Sequence, residues 1–161
     1  MKQKFGKYAI FDIITHHFKE MPNWWWKIKA PTSGDELSMS KFQIYNRREV
    51  GPDGVMREFP PTNTEIMHRE VALTFAGTNI PMDEEKPVEE GGDPVVTPKD
   101  ATETIEVLLR AMPQKMVLEI WDAIADAVPG WGPMRPKVVK QPQDVAPEAT
   151  ESLPAETTTE G

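Results

Sequence analysis

Cysteine is absent from the 161 residues, which excludes disulfides, thiolate metal sites and thiol nucleophiles together. Long apolar runs are missing too, and none approaches the roughly 20 residues of a membrane helix. No glycine-rich loop has phosphate-cradling spacing, and no serine sits in a nucleophile elbow. Positive charge is in deficit: 18 Lys and Arg stand against 26 Asp and Glu, a net charge of −8. Duplex nucleic acid, whose phosphates need many cations, is therefore a poor partner. The apolar run after the basic start, Tyr8–Ile14, is interrupted by Asp12 and followed by His16-His17, which makes a poor signal peptide. An intracellular protein without membrane contact is the expectation.

The acidity is concentrated. Segment Pro81–Asp100 carries seven acids and two bases, net −5, and Lys137–Gly161 carries five acids and two bases, net −3. These two segments account for the whole net charge, so the remainder is formally neutral. Acids beside prolines and glycines, as in Asp83-Glu84-Glu85, read as solvated coil.

The apolar pattern of Lys7–Phe18 is too short and dense to separate a strand from a helix. From Trp24 the period is two: Trp24, Trp26 and Ile28 alternate with Trp25, Lys27 and Lys29, which predicts a strand ended by Ala30-Pro31. Ser33 and Glu36 are spaced as a capping box for a helix to about Arg47. Gly51-Pro52-Asp53-Gly54 marks a turn, with a short hairpin around it as one outcome. Thr62 and Glu65 form a second capping box for a helix Asn63–Ala76, stopped by Gly77. Thr97 and Pro98 open a third helix, with Ile105, Leu108, Leu109 and Met112 at helical spacing. Pro113 breaks it and starts a fourth, whose stripe is Val117, Ile120, Trp121 and Ile124. The short connection between the last two makes an antiparallel helical hairpin.

The fold class expected is mainly α: a small α+β N-terminal piece over 1–80, an acidic flexible linker over 81–97, a helical hairpin over 98–136 and a disordered acidic tail over 137–161.

Chemistry-bearing residues are sparse. His16-His17 with Asp12 are ordinary metal ligands, but adjacent side chains point apart and no ligand-rich helix accompanies them, so surface or structural histidines are the stronger reading. His68 has no nucleophile partner in view. Most carboxylates lie in the acidic tethers, where productive geometry cannot be held. No catalytic residue, cofactor or metal site is expected. Trp24-Trp25-Trp26-Lys27-Ile28-Lys29 is the most unusual run; it suits either a stacking platform for single strands or a protein contact, and the few bases favour protein.

Two stretches carry a resemblance. The run Trp24–Leu37, a strand ending in Lys29-Ala30-Pro31-Thr32 and feeding a helix that starts near Gly34-Asp35, resembles the tail assembly chaperones of tailed bacteriophages. The run Met112–Trp121, followed by Val128-Pro129-Gly130-Trp131-Gly132, is similar to the way those chaperones close their helical domain. The resemblance implies a non-enzymatic protein of the host cell cytoplasm that binds the tape measure protein, with the tail tube protein as a further partner and a homo-oligomer as one assembly state. The residues proposed for partner binding are Trp24, Trp25, Trp26, Leu109, Trp121, Ile124 and Trp131. Two other classes remain open: a structural virion component, and a single-stranded nucleic-acid-binding protein with an acidic tail.

Overall fold

In a computed structural model, which describes residues 12–133, the tryptophan-rich run is the middle strand of a sheet. The chain runs β1 (Ile14–His17), β2 (Trp25–Ile28), α1 (Ser33–Ile44), β3 (Arg47–Val50), β4 (Met56–Phe59), α2 (Asn63–Leu73), β5 (Phe75–Thr78), α3 (Thr102–Ala111) and α4 (Gln114–Ala127). Strands β1, β2 and β5 form an antiparallel sheet in the order β1-β2-β5, and β3 and β4 form a separate two-stranded hairpin. With 41% helix and 18% strand the fold is mixed α+β, which corrects the expectation of a mainly α protein. The strand content was hidden because β1, Ile14–His17, carries a single apolar residue, and Phe75 and Ala76 of β5 continue the apolar pattern of the helix before them.

The alternation read at Trp24–Lys29 appears in β2, where Trp26 and Ile28 are buried and Trp25 and Lys27 are half-buried. The core face of the sheet meets α2 and, through it, α3 and α4. Trp26, Ile28 and Phe75 join Val71 of α2, Leu109 of α3 and Val117, Ile120 and Ile124 of α4 in one buried cluster. Helix α2 packs against α1, α3 and α4. The N-terminal α+β piece and the helical hairpin thus share a hydrophobic core.

Local signals set the helix starts with mixed accuracy. The Thr62–Glu65 capping box forms as expected, each side chain accepting from the other's backbone N–H. The first helix uses Thr32 and Asp35 instead of Ser33 and Glu36, because Thr32 takes the extended cap conformation one residue earlier. It ends at Ile44, so Arg47 falls in β3. Thr97 does not cap α3. It accepts the N–H of Lys99 and donates to Asp100 in a turn of its own, and the helix begins at Thr102 without a side-chain cap. Replacing Thr62 with Ala should lower stability by about 1 kcal/mol; an unchanged urea midpoint would show the box to be idle.

The second helix also ends before the expected Ala76. Thr74 turns its hydroxyl back to the carbonyls of Glu70 and Val71, and its own carbonyl accepts from the Lys29 N–H, which starts β5. Gly77 is a strand residue at φ 146°, opposite Lys27, where the left-handed side of the map favours glycine.

The acidic segment expected to be a flexible linker leaves and re-enters the core through a short ladder. Pro81 pairs with Pro94, the Met82 N–H donates to the Asp93 carbonyl, and the Val95 N–H donates to the Ile80 carbonyl. Its tip holds one 3-10 turn, Val88–Glu90, and Val96 is buried. Gly92 is required there, since a Cβ would lie 1.9 Å from the Lys86 carbonyl oxygen. The acids Asp83, Glu84 and Glu85 are exposed while backbone bonds close the base of the loop. The tail expected to be disordered, 137–161, lies outside the described residues. Among the described residues no helix is long and apolar enough to cross a membrane.

Candidate functional site

The seven residues expected to bind a partner separate by depth. Trp26, Leu109, Ile124 and Trp131 are core residues, at 0%, 1%, 0% and 9% exposure. They offer no surface in the folded chain. Trp24 and Trp121 are half-buried against the same core, and Trp25 is half-buried on the opposite face of β2. The structure therefore does not bring the seven together as one surface.

Trp25 is held from several sides. Its N–H donates to Asn79 Oδ1 at 2.7 Å, and its carbonyl accepts from the Thr78 hydroxyl at 2.7 Å. The Lys27 ammonium sits 4.6 Å from its ring centroid, a cation–π contact. One face of the ring is thus occupied by a residue of its own strand, which limits it as a stacking platform.

Trp121 has an internal role. Its indole Nε1 donates to the Glu70 carboxylate, which also accepts from the Gly132 N–H at 2.9 Å. Glu70 is 4% exposed. Burial pushes its carboxyl pKa up, and these two hydrogen bonds pull in the other direction. One α2 carboxylate therefore ties down both α4 and the segment that follows it. One position earlier, Arg69 lies over the Phe42 ring and approaches Glu106 of α3 at 2.7 Å, although the N–H is not aligned for a hydrogen bond. Burial also raises the Glu106 pKa, opposed by Arg69 and Arg110.

The adjacent histidines diverge as expected for a strand. His16 Nε2 lies 3.3 Å from Glu119 of α4, while His17 Nδ1 faces the Pro22 carbonyl at 3.1 Å.

An exposed apolar surface outside those seven residues lies on the β3–β4 hairpin with the end of α1. Among the described residues, seven of the twelve exposed large apolar side chains lie between Leu37 and Phe59. Every residue of β3 and β4 is exposed. The register pairs Val50 with Met56 and Arg48 with Glu58, and alternation puts these four on one face of the hairpin. Of these, Arg48 and Glu58 line a concavity of about 460 Å³ together with Ile44, Tyr45 and Asn46. Ile44 is 80% exposed and Tyr45 67%.

The charges of this element are paired within the chain. Arg47 pairs with Glu49 at 2.7 Å and with Glu65 at 3.3 Å, Arg48 with Glu58 at 2.8 Å, and Arg57 with Asp53 at 2.6 Å. The Arg57 guanidinium and the Val55 N–H hold the Asp53 pKa below its ordinary value. The exposed apolar side chains of this surface are thus presented among ion pairs that already have partners. The sequence did contain a signal for it, in the apolar residues Val50, Val55, Met56 and Phe59 that flank the Gly-Pro-Asp-Gly turn.

Comparison of the chain with known protein families, curated proteins and solved structures returns no match.

Proposed function

We propose that this chain is a non-enzymatic tail assembly chaperone of a tailed bacteriophage, acting in the host cytoplasm by binding the tape measure protein while the tail is built. The observation that carries the protein-binding part is the exposed apolar face of α1, β3 and β4, with Ile44, Tyr45, Val50 and Met56 in solvent. A folded chain that leaves such side chains uncovered gains by burying them against a partner, at roughly 25 cal/mol per Å². The resemblance at Trp24–Leu37 and Met112–Trp121 supplies the identity of that partner.

The test is affinity purification of the tagged chain from infected cells, with nuclease treatment, followed by mass spectrometry and assay of purified particles. Recovery of the tape measure protein, with the bait scarce in particles, is the expected result. Stoichiometric bait in particles would replace this reading with a structural component. Binding lost on nuclease treatment would replace it with a single-strand binder.

A further inference from the structure

We propose that Asp53-Gly54, in the turn between β3 and β4, is a site of spontaneous backbone isomerisation, and that Arg57 is the positioning residue that restrains it. The modification converts Asp53 to isoaspartate through a cyclic imide formed with the Gly54 nitrogen. It stands independently of which partner the chain binds.

The sequence confines the chemistry to this turn. Asp53-Gly54 is the chain's single Asp-Gly step, and no Asn-Gly step occurs. Glycine after the aspartate leaves the attacking nitrogen unshielded, because it has no side chain. Both residues are exposed, Gly54 sits at φ 73°, and a Cβ placed on it would meet nothing within 4 Å. The Asp53 side chain reaches forward along the turn, where its Oδ1 accepts the Val55 N–H at 3.1 Å, so the carboxyl lies beside the peptide that would attack it.

The reaction needs no co-reactant but water. The Gly54 nitrogen bonds to Cγ of the protonated Asp53 carboxyl, and the carboxyl hydroxyl leaves with the amide proton as water. Water then adds to one of the two ring carbonyls. Opening at Cγ restores aspartate, whereas opening at the Asp53 main-chain carbonyl leaves the chain running through Cγ, one methylene longer. Nothing is oxidised or reduced, and the mass is unchanged.

Arg57 opposes the first step. Its Nη1 and Nη2 hold the two carboxylate oxygens at 3.1 Å and 2.6 Å, which favours the ionised form. A carboxylate has no hydroxyl to lose, and its carbon is a poor electrophile. The Gly54 N–H is itself engaged, donating to the Gly51 carbonyl at 2.9 Å. Gly51 makes room for this arrangement, since a Cβ there would lie 2.1 Å from Arg57 Nη1 and 2.7 Å from Asp53 Oδ1. Glu49, opposite Arg57 in the register, is paired with Arg47 at 2.7 Å and leaves the guanidinium to Asp53. A backbone lengthened between Gly51 and Val55 would no longer close the Gly51 N–H to Val55 carbonyl bond of 2.9 Å, which adjoins the Val50–Met56 pair.

The test ages the full wild-type chain and its Arg57→Gln, Gly51→Ala and Glu58→Gln variants, folded and in urea, from mildly acidic to neutral pH. Isoaspartate is counted by enzymatic methylation and located by electron-transfer mass spectrometry. It should accumulate at residue 53 ahead of every other aspartate. At neutral pH the folded Arg57→Gln and Gly51→Ala chains should age several-fold faster than the wild type, and on acidification the wild-type rate should begin to rise at a lower pH than theirs. In urea all four should age alike. Glu58→Gln breaks the Arg48–Glu58 pair on the same strand and spares Asp53 and Arg57, so it should age as the wild type; this separates the Arg57 contact from general loosening of the hairpin. A variant that ages equally folded and in urea has lost its fold, and the other then carries the comparison. Isoaspartate forming first at another residue would overturn the site. Equal folded rates in the wild type and both turn variants, superimposable pH profiles, or a Glu58→Gln chain as fast as Arg57→Gln would overturn the role of Arg57.

Discussion

Replacing Trp26 with Ala should cost about 3–5 kcal/mol of stability, whereas Trp25→Ala should cost about 1 kcal/mol. Trp26 is fully buried on the middle strand, and its ring lies 4.5 Å from that of Phe75. Truncation would open a cavity among β2, β5 and the helices that cover them. A domain holding a total of about 5–15 kcal/mol cannot absorb that loss easily. Trp25 loses its part-buried ring and the contact with Lys27 but opens no core cavity, and its hydrogen bonds to Asn79 and Thr78 are made by the backbone and stay. Urea unfolding followed by far-ultraviolet circular dichroism separates the two. Equal losses would contradict the assignment of opposite faces.

The Trp26 indole adds a refinement. Its Nε1 is buried without an acceptor among the described residues, which carries a desolvation penalty. Trp26→Phe removes that donor while retaining most of the ring, so it should cost clearly less than Trp26→Ala.

The second large effect is expected at Glu70. Glu70→Ala removes the acceptor of the Trp121 indole and the Gly132 N–H and should destabilise the protein by about 2–3 kcal/mol at neutral pH. Glu70→Gln keeps an acceptor and removes the ionisation, so it isolates the effect of pH. Burial raises the folded-state pKa of Glu70 above its ordinary 4.5. In the window between those two values the folded protein holds a proton that the unfolded chain has released. This contribution to stability is therefore complete below 4.5 and lost as pH rises through the raised value. Wild-type stability relative to Glu70→Gln should fall as pH climbs above 4.5 and then level off. A difference that grows with pH would mean that the hydrogen bonds outweigh burial and depress the pKa.

How far the sequence could be read depended on whether a signal was local. The Thr62–Glu65 box was legible because both partners lie within one turn and answer only to each other. The same kind of signal failed at Thr97, where Asp100 supplied the partner and closed a separate turn before α3. The outward and inward faces of Trp24–Ile28 were legible from their period. Which face would meet a partner was not, because burial by distant helices leaves no mark on a five-residue run.

The acidic segment shows the limit of composition. Asp83, Glu84 and Glu85 fit a tether, yet Pro81, Met82 and Val95 anchor the segment through backbone groups that every sequence shares. The apolar residues around the Gly-Pro-Asp-Gly turn were visible in the sequence, but their exposure was not. Val50, Met56 and Tyr45 look like ordinary core residues in the sequence, and only the placement of the hairpin away from the sheet leaves them in solvent.

The sequence by itself determined the absence of cysteine chemistry, the positions of the turns at Gly51–Gly54 and Pro113, and the amphipathic stripes of α3 and α4, because these follow from residue type and spacing over a few positions. Tertiary structure alone decided that Phe75–Thr78 joins β2 as a strand, that Glu70 secures α4 through Trp121, and that the apolar side chains of the hairpin stay uncovered. Those outcomes depend on which surfaces meet across tens of residues, where packing and desolvation outweigh the preferences of any short segment.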